Sequence, residues 1–301
     1  MDLITILENY KIWIDSEEVE GERADLSGAN LGKTDLKNVN LIKAVLSKAD
    51  FTNSNFYGAD FSASDLENAN FYGANLSGLK FITTNLISAN FYGALLSSVD
   101  FTAANLNWAK FTGAIASGCI FYKASLDESD LSDSNFRFAY LREASLCEAN
   151  LNEADFSEAD LQMANLSKAT ITNANLSRAN LLMARLPGAN LSETTFSGAK
   201  IHQANLRGTL LTNANFNLAD LTRAFFTGAN LLNAKLIQAD LRFADFRLAN
   251  LHKANLSNAN LAGADFTGAD LTEANLTGAN LSDCDFTDVN LTRVVGFSLK
   301  N

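Results

Sequence analysis

Histidine occurs only twice and cysteine only three times in 301 residues, and this scarcity removes most catalytic chemistry at the outset. Three distant thiols, Cys119, Cys147 and Cys284, give neither a Cys-x-x-Cys metal pair nor a disulfide framework. A glycine-rich phosphate loop, a nucleophile elbow and a His-Glu zinc pattern are all missing. No apolar run approaches the ~20 residues needed to span a bilayer. No basic segment precedes an apolar stretch in the manner of a secretory leader. The expectation is a soluble, cytoplasmic chain with no membrane contact, no cofactor, no metal and no enzymatic activity. A basic stripe that could neutralise phosphates is also absent, so direct nucleic-acid binding is not expected.

What the chain has instead is a period. From Leu26 to Leu291 every fifth residue is Leu, Ile or Phe, with the single exception of Ala116, and the phase never slips. Typical units read Ala259-Asn260-Leu261 and Ala264-Asp265-Phe266. A period of five is neither the ~3.6 of a helix nor the ~2 of a strand, so a buried face requires a backbone that turns a corner once per unit. That is the signature of a solenoid. The central residue and the small residue two before it, usually Ala, are expected to point inward, and the other three outward. The frequent Asn or Asp just before the centre suits a turn, since it can bond its own main chain and tolerates unusual φ. An unbroken phase leaves no place for a boundary, which predicts one continuous domain.

Phenylalanine tells how many units close a coil. Phe51, Phe71, Phe91 and Phe111 form one series, Phe61, Phe81, Phe101 and Phe121 a second, and Phe226, Phe246, Phe266 and Phe286 a third, all spaced by twenty. Four units per coil predict a square β-helix of about 13 coils, a thin rod on the order of 65 Å long at ~4.8 Å per coil. This pattern, running from residue 24 to about 292, resembles the pentapeptide-repeat family. The resemblance implies an all-β fold, a right-handed quadrilateral β-helix.

The ends depart from the repeat. Residues 1–22 place Leu3, Ile4, Ile6, Leu7, Tyr10, Ile12, Trp13 and Ile14 among acids at helical spacing, before Gly21. Solenoid ends expose unpaired edges and core, so a helical cap is expected there, followed by the β-helix over 23–293 and a tail over 294–301. A membrane anchor would want Lys or Arg on its polar face, and this segment carries mainly Asp and Glu. At the other end Val289, Val294, Val295, Phe297 and Leu299 lie close together, either to fold over the last coil or to meet a second copy. Some members of the resembled family dimerise end to end through their C-terminal coils, which makes a homodimer through this end an expectation of the resemblance.

Charge is uneven. The net charge is −11, concentrated in the first 25 residues and in residues 126–160. Glu143, Glu148, Glu153 and Glu158 are five apart, which places one on each side of a single coil and makes a belt around the rod rather than a line along it. Arg223, Arg242, Arg247 and Lys253 recur further on. Family members that confer quinolone resistance act on DNA gyrase, by imitating duplex DNA with charge along the rod. By resemblance, a gyrase regulator is one alternative function, and a bacterial effector or targeting module is another. The histidines, His202 and His252, fall two and a half coils apart, on opposite faces, where they cannot share a substrate.

The clearest departure from the repeat runs from Gly113 to Ile120, where the centre shrinks to Ala116 and the usual Asn/Asp position becomes Ile115 and Ile120. Leu95 stands twenty before Ile115, and Tyr140 twenty after Ile120. With Tyr122 and Phe138 they are expected to form an apolar patch on two adjacent faces, the kind of surface that marks an interaction site. The other reading is a local bulge in which one Ile turns in to fill the space left by Ala116. Met163 and Met183, again twenty apart, form a smaller cluster of adaptable side chains. The reading as a whole is a non-catalytic interaction scaffold whose partner is a protein of unknown identity.

Overall fold

Residues 3–297 are described by the computed structural model. Parallel bridges join each residue just before a central position to the one twenty later, from Asp25↔Val45 to Asn275↔Val295. Four such ladders run the length of the chain, so the twenty-residue register read from phenylalanine is the register of the backbone.

The repeat can be explained by following five consecutive N–H groups. Around Phe61, the Phe61 and Ala63 amides donate to the Lys80 and Ile82 carbonyls of the next coil, at 2.9 and 2.8 Å. Asp65 donates back to Ala44 at 3.0 Å, and Ser64 donates to Phe61 within the turn at 3.1 Å. The fifth amide, Ser62, has no main-chain acceptor, and the Asp60 carboxylate takes it at 2.9 Å. Asn and Asp are therefore frequent before the centre because they supply the one acceptor that the coil lacks. Where Ser125, Ser145 and Thr170 precede the centre, an Asn or Asp one coil earlier does the job. Asn107 accepts from Asp127 at 3.0 Å and Asn152 from Thr172 at 2.9 Å. Pro187, the sole proline, stands at this fifth position behind Arg185, where an amide hydrogen would have had no such acceptor.

The φ expectation needs a correction. The Asn/Asp position is bridged strand, and the left-handed residue is the second one after the centre, with φ between +53 and +62° wherever that repeat residue is not glycine. Thr83 is the only β-branched residue there, as crowding at Cβ would require. The non-glycine left-handed residues from Lys33 to Glu273 are each held by their own amide, as Ala63 is, which offsets a strain of roughly 1–2 kcal/mol.

Central and small positions are fully buried along most of the rod. Phenylalanines in each series stack at 4.8–5.3 Å between ring centroids, close to the coil spacing. Where a buried Ser or Thr replaces the small Ala, the hydroxyl donates to a core carbonyl, as Thr84 does to Phe61 at 2.9 Å. Among the described residues no buried side-chain polar atom is left without a partner.

Helix α1, Leu3–Asp15, lies against the first coil. Tyr10 is buried in the core and its hydroxyl donates to the Ile42 carbonyl, with Leu3, Ile6, Leu7, Trp13 and Ile14 packed around it. The other end is bare by comparison. Leu281, Phe286 and Leu291 are only half-buried, and Phe297 meets the Phe286 ring edge-on at 5.2 Å. Leu299 and the rest of 298–301 lie outside the described residues.

Phe81 stacks between Phe61 and Phe101 at 5.1 and 5.3 Å. Replacing it by Ala empties one layer of that column, and Phe81→Ala should lower stability by about 3–5 kcal/mol in a denaturant titration. An unchanged midpoint would contradict the stacking register.

Candidate functional site

At Ala116 the ladders do not break: Ile115 bridges Leu95 and Asn135, and Ile120 bridges Asp100 and Tyr140. The bulge reading is thereby overturned, because Ile115 stays 42% exposed and no isoleucine turns inward. The space beside Ala116 is filled from the next coil. The two phenylalanine columns end at Phe111 and Phe121, and Phe136, directly above Ala116, meets their rings at 6.0 and 5.5 Å. A small residue is needed where three rings converge.

Leu95, Ile115, Tyr122, Phe138 and Tyr140 are all exposed, and Ile120 is half-buried among them. Leu95 and Ile115 touch along one ladder, and Ile120 and Tyr140 along the next. Two cations brace the aromatics, Lys123 over Tyr122 at 5.0 Å and Arg137 over Phe138 at 5.2 Å. Replacing Asn or Asp with these apolar residues has a second effect. The fifth amides of Ser97, Ser117, Tyr122 and Arg142 have no acceptor among the described residues. The patch thus combines apolar side chains with free backbone donors.

The glutamate belt is tied down. Glu143 meets Lys123 at 3.7 Å and Arg142 at 3.6 Å, Glu148 meets Lys168 at 2.8 Å, and Arg137 lies 3.9 Å from Glu158. Glu153 alone of the four has no ion pair among the described residues. Its column carries Asp133 one coil before and Asn173 one coil after.

Reactive groups are dispersed. Cys119 is buried with its thiol on the Leu96 carbonyl at 2.7 Å, and burial pushes it up to about 12. Cys284, bonded to the Leu261 carbonyl at 3.0 Å, is likewise pushed up by burial, to about 11. Cys147, half-buried at the surface, accepts from the Asn165 side-chain amide at 2.9 Å. Among the described residues no three His, Cys, Asp or Glu side chains converge as metal ligands, and no helix is long and apolar enough to cross a membrane. One concave surface escaped the sequence reading, a groove lined by Met183, Gln203, Arg223, Phe225 and Phe243.

Two family models match this chain. One, described as pentapeptide repeats, matches residues 134–173, 174–213, 214–252 and 254–293. The other, described as a pentapeptide repeat region, matches 15–91 and 59–131. Among solved structures the chain is similar to Rfr23, a pentapeptide repeat protein of the cyanobacterium Cyanothece, with 38% identity, covering 30% of this chain and 63% of that one, at a TM-score of 0.30. It is also similar to HetL of the cyanobacterium Nostoc, a pentapeptide repeat protein involved in heterocyst differentiation regulation. There the identity is 26%, both chains are covered at 100%, and the TM-score is 0.29. A third similarity is to QnrB1, a plasmid-mediated fluoroquinolone resistance protein, with 19% identity over 73% of this chain and 88% of that one, at a TM-score of 0.30. The search of curated proteins gives no match.

Asp50, Asp270 and Asp285, three carboxylates that accept the fifth amide, titrate low. Thr52, Thr272 and Thr287 donate from their hydroxyls to Asp50, Asp270 and Asp285 and hold those groups below the usual carboxylate range. A carboxylate depressed in the folded chain stabilises it fully above the unfolded value of ~3.9 and stops doing so as pH falls through the folded value. The melting temperature should therefore be level from neutrality down to about pH 5 and drop below about pH 4. A melting temperature that is unchanged in strong acid would refute this account of the repeat carboxylates.

Proposed function

We propose, from the premise that this chain belongs to the pentapeptide-repeat family, that it is a non-catalytic scaffold that presents side chains on a stiff rod to a protein partner. Members of the family fold as right-handed β-helices. The four ladders of this chain support a quadrilateral cross-section and about 13 coils. The observation that carries the reading is the apolar patch of Leu95, Ile115, Ile120, Tyr122, Phe138 and Tyr140, six side chains gathered on neighbouring coils around two bridged pairs. Four of its residues, Leu95, Ile115, Ile120 and Tyr140, sit on ladder positions, so they are presented without ordering any loop, and little conformational entropy is lost on binding.

The belt does not favour a DNA mimic, since Lys123, Arg137, Arg142 and Lys168 pair with three of its four glutamates. The C-terminal end supports a second contact, with another copy of the chain. The last coil leaves Leu281, Phe286 and Leu291 half-exposed, whereas α1 packs against the first coil. The cytoplasm is the proposed location.

Two measurements test this. Ile115→Asp with Ile120→Asp should abolish partner capture from host lysate while the circular dichroism spectrum stays unchanged. Capture of the same partners by the folded variant would refute the patch. In sedimentation equilibrium the chain should dimerise, and Phe286→Asp should give a monomer. A monomeric wild type would remove the end contact and leave the patch reading standing.

A further inference from the structure

The left-handed position of each unit projects at a corner, and Gly, Asn, Lys or Glu commonly occupies it. Along one column it reads instead Met163, Met183, Gln203, Arg223 and Phe243, each twenty residues from the last. Met183 and Phe243 are 48% and 58% exposed, and with Gln203, Arg223 and Phe225 they line an open groove. Large apolar side chains on a polar rod lose water contact only if something covers them.

The groove is built rather than incidental. The Phe243 ring lies against Gly263 one coil on, where a Cβ would come within 2.6 Å of the ring carbons. The absent side chain makes the seat for the ring. The Arg223 guanidinium lies 5.7 Å from the Phe243 ring, and that of Arg207 lies 4.4 Å from Phe225. Arg242 is engaged with Asp240 at 2.7 Å and Arg247 with Asp245 at 2.8 Å, whereas Arg185, two residues from Met183, has no ion pair among the described residues. Among the described residues Arg207 and Arg223 have no such carboxylate. They are held by aromatic rings, and their hydrogen-bond donors remain unused. A planar fork of donors fits a carboxylate, and arginine beside aromatic and Met side chains is the composition from which interfaces draw most of their energy.

We propose that this groove binds an acidic segment of a protein partner, in which Asp or Glu side chains meet Arg207 and Arg223 and an apolar side chain lies against Met183 and Phe243. Two separated arginines on a chain of net charge −11 suit one or two carboxylates. A run of phosphates would need a continuous basic track. The site is separate from the apolar patch at Ile115 and stands or falls without it.

The test is fluorescence anisotropy on the full chain with three dye-labelled probes: a peptide of alternating Glu and Leu, the same peptide with Lys for Glu, and a single-stranded oligothymidylate. The acidic peptide should bind best and weaken with added salt. Arg207→Glu with Arg223→Glu should weaken it roughly tenfold or more. Phe243→Ala, which leaves the charges in place, should weaken it as well, and Ile115→Asp with Ile120→Asp should not. Equal binding of the two peptides, absence of binding, preference for the oligonucleotide, or insensitivity to Phe243→Ala would each overturn the proposal.

Discussion

Five amide hydrogens per unit must find acceptors, and the main chain of a coil offers only four. Almost every regularity of this chain follows from that shortfall. The Asn or Asp before the centre answers it from the same unit, Asn107 and Asn152 answer it from the coil below, and Pro187 avoids it by having no hydrogen to donate. The phenylalanine columns and the alanine layer fill the interior that this backbone encloses. They add stability, but the unit length is set by hydrogen bonding and by the one left-handed residue that turns each corner.

The same shortfall makes departures from the repeat visible. Where Leu95, Ile115, Ile120 and Tyr140 replace the acceptor, an amide is left open to solvent and an apolar side chain is displayed. Both changes work against an isolated rod. Residues that break a local rule without a local benefit are those most worth examining for recognition. Ala116 looks like one of them and is not, because the rings of Phe111, Phe121 and Phe136 account for it.

Much of the architecture was legible in the letters. A strict period cannot be mistaken, and Phe51, Phe71 and Phe91 announce their own stacking distance in sequence. The faces of Glu143 to Glu158 followed by counting alone. Three things did not follow. The left-handed corner is marked only by glycine, which stands there fourteen times, while Glu128, Glu143 and Trp108 share the conformation with no such mark. The pairing of Glu148 with Lys168 depends on side-chain reach. The groove joins Phe225 to Phe243, eighteen apart across an edge of the rod, and a search at multiples of twenty passes over such pairs. Arg207 and Phe225 share this spacing.

The ladder register has a consequence for how such a rod can change over generations. A duplication of twenty residues lengthens it and leaves every downstream surface facing the same way. Loss of a single unit between Glu148 and Met183 would also leave each coil intact, yet it would shift everything beyond it by one ladder. The patch at Ile115 and the groove at Phe243 would then point in new relative directions. Indels in this fold thus act as an indexing mechanism with four stops, re-aiming one surface against another with no new contact having to be invented.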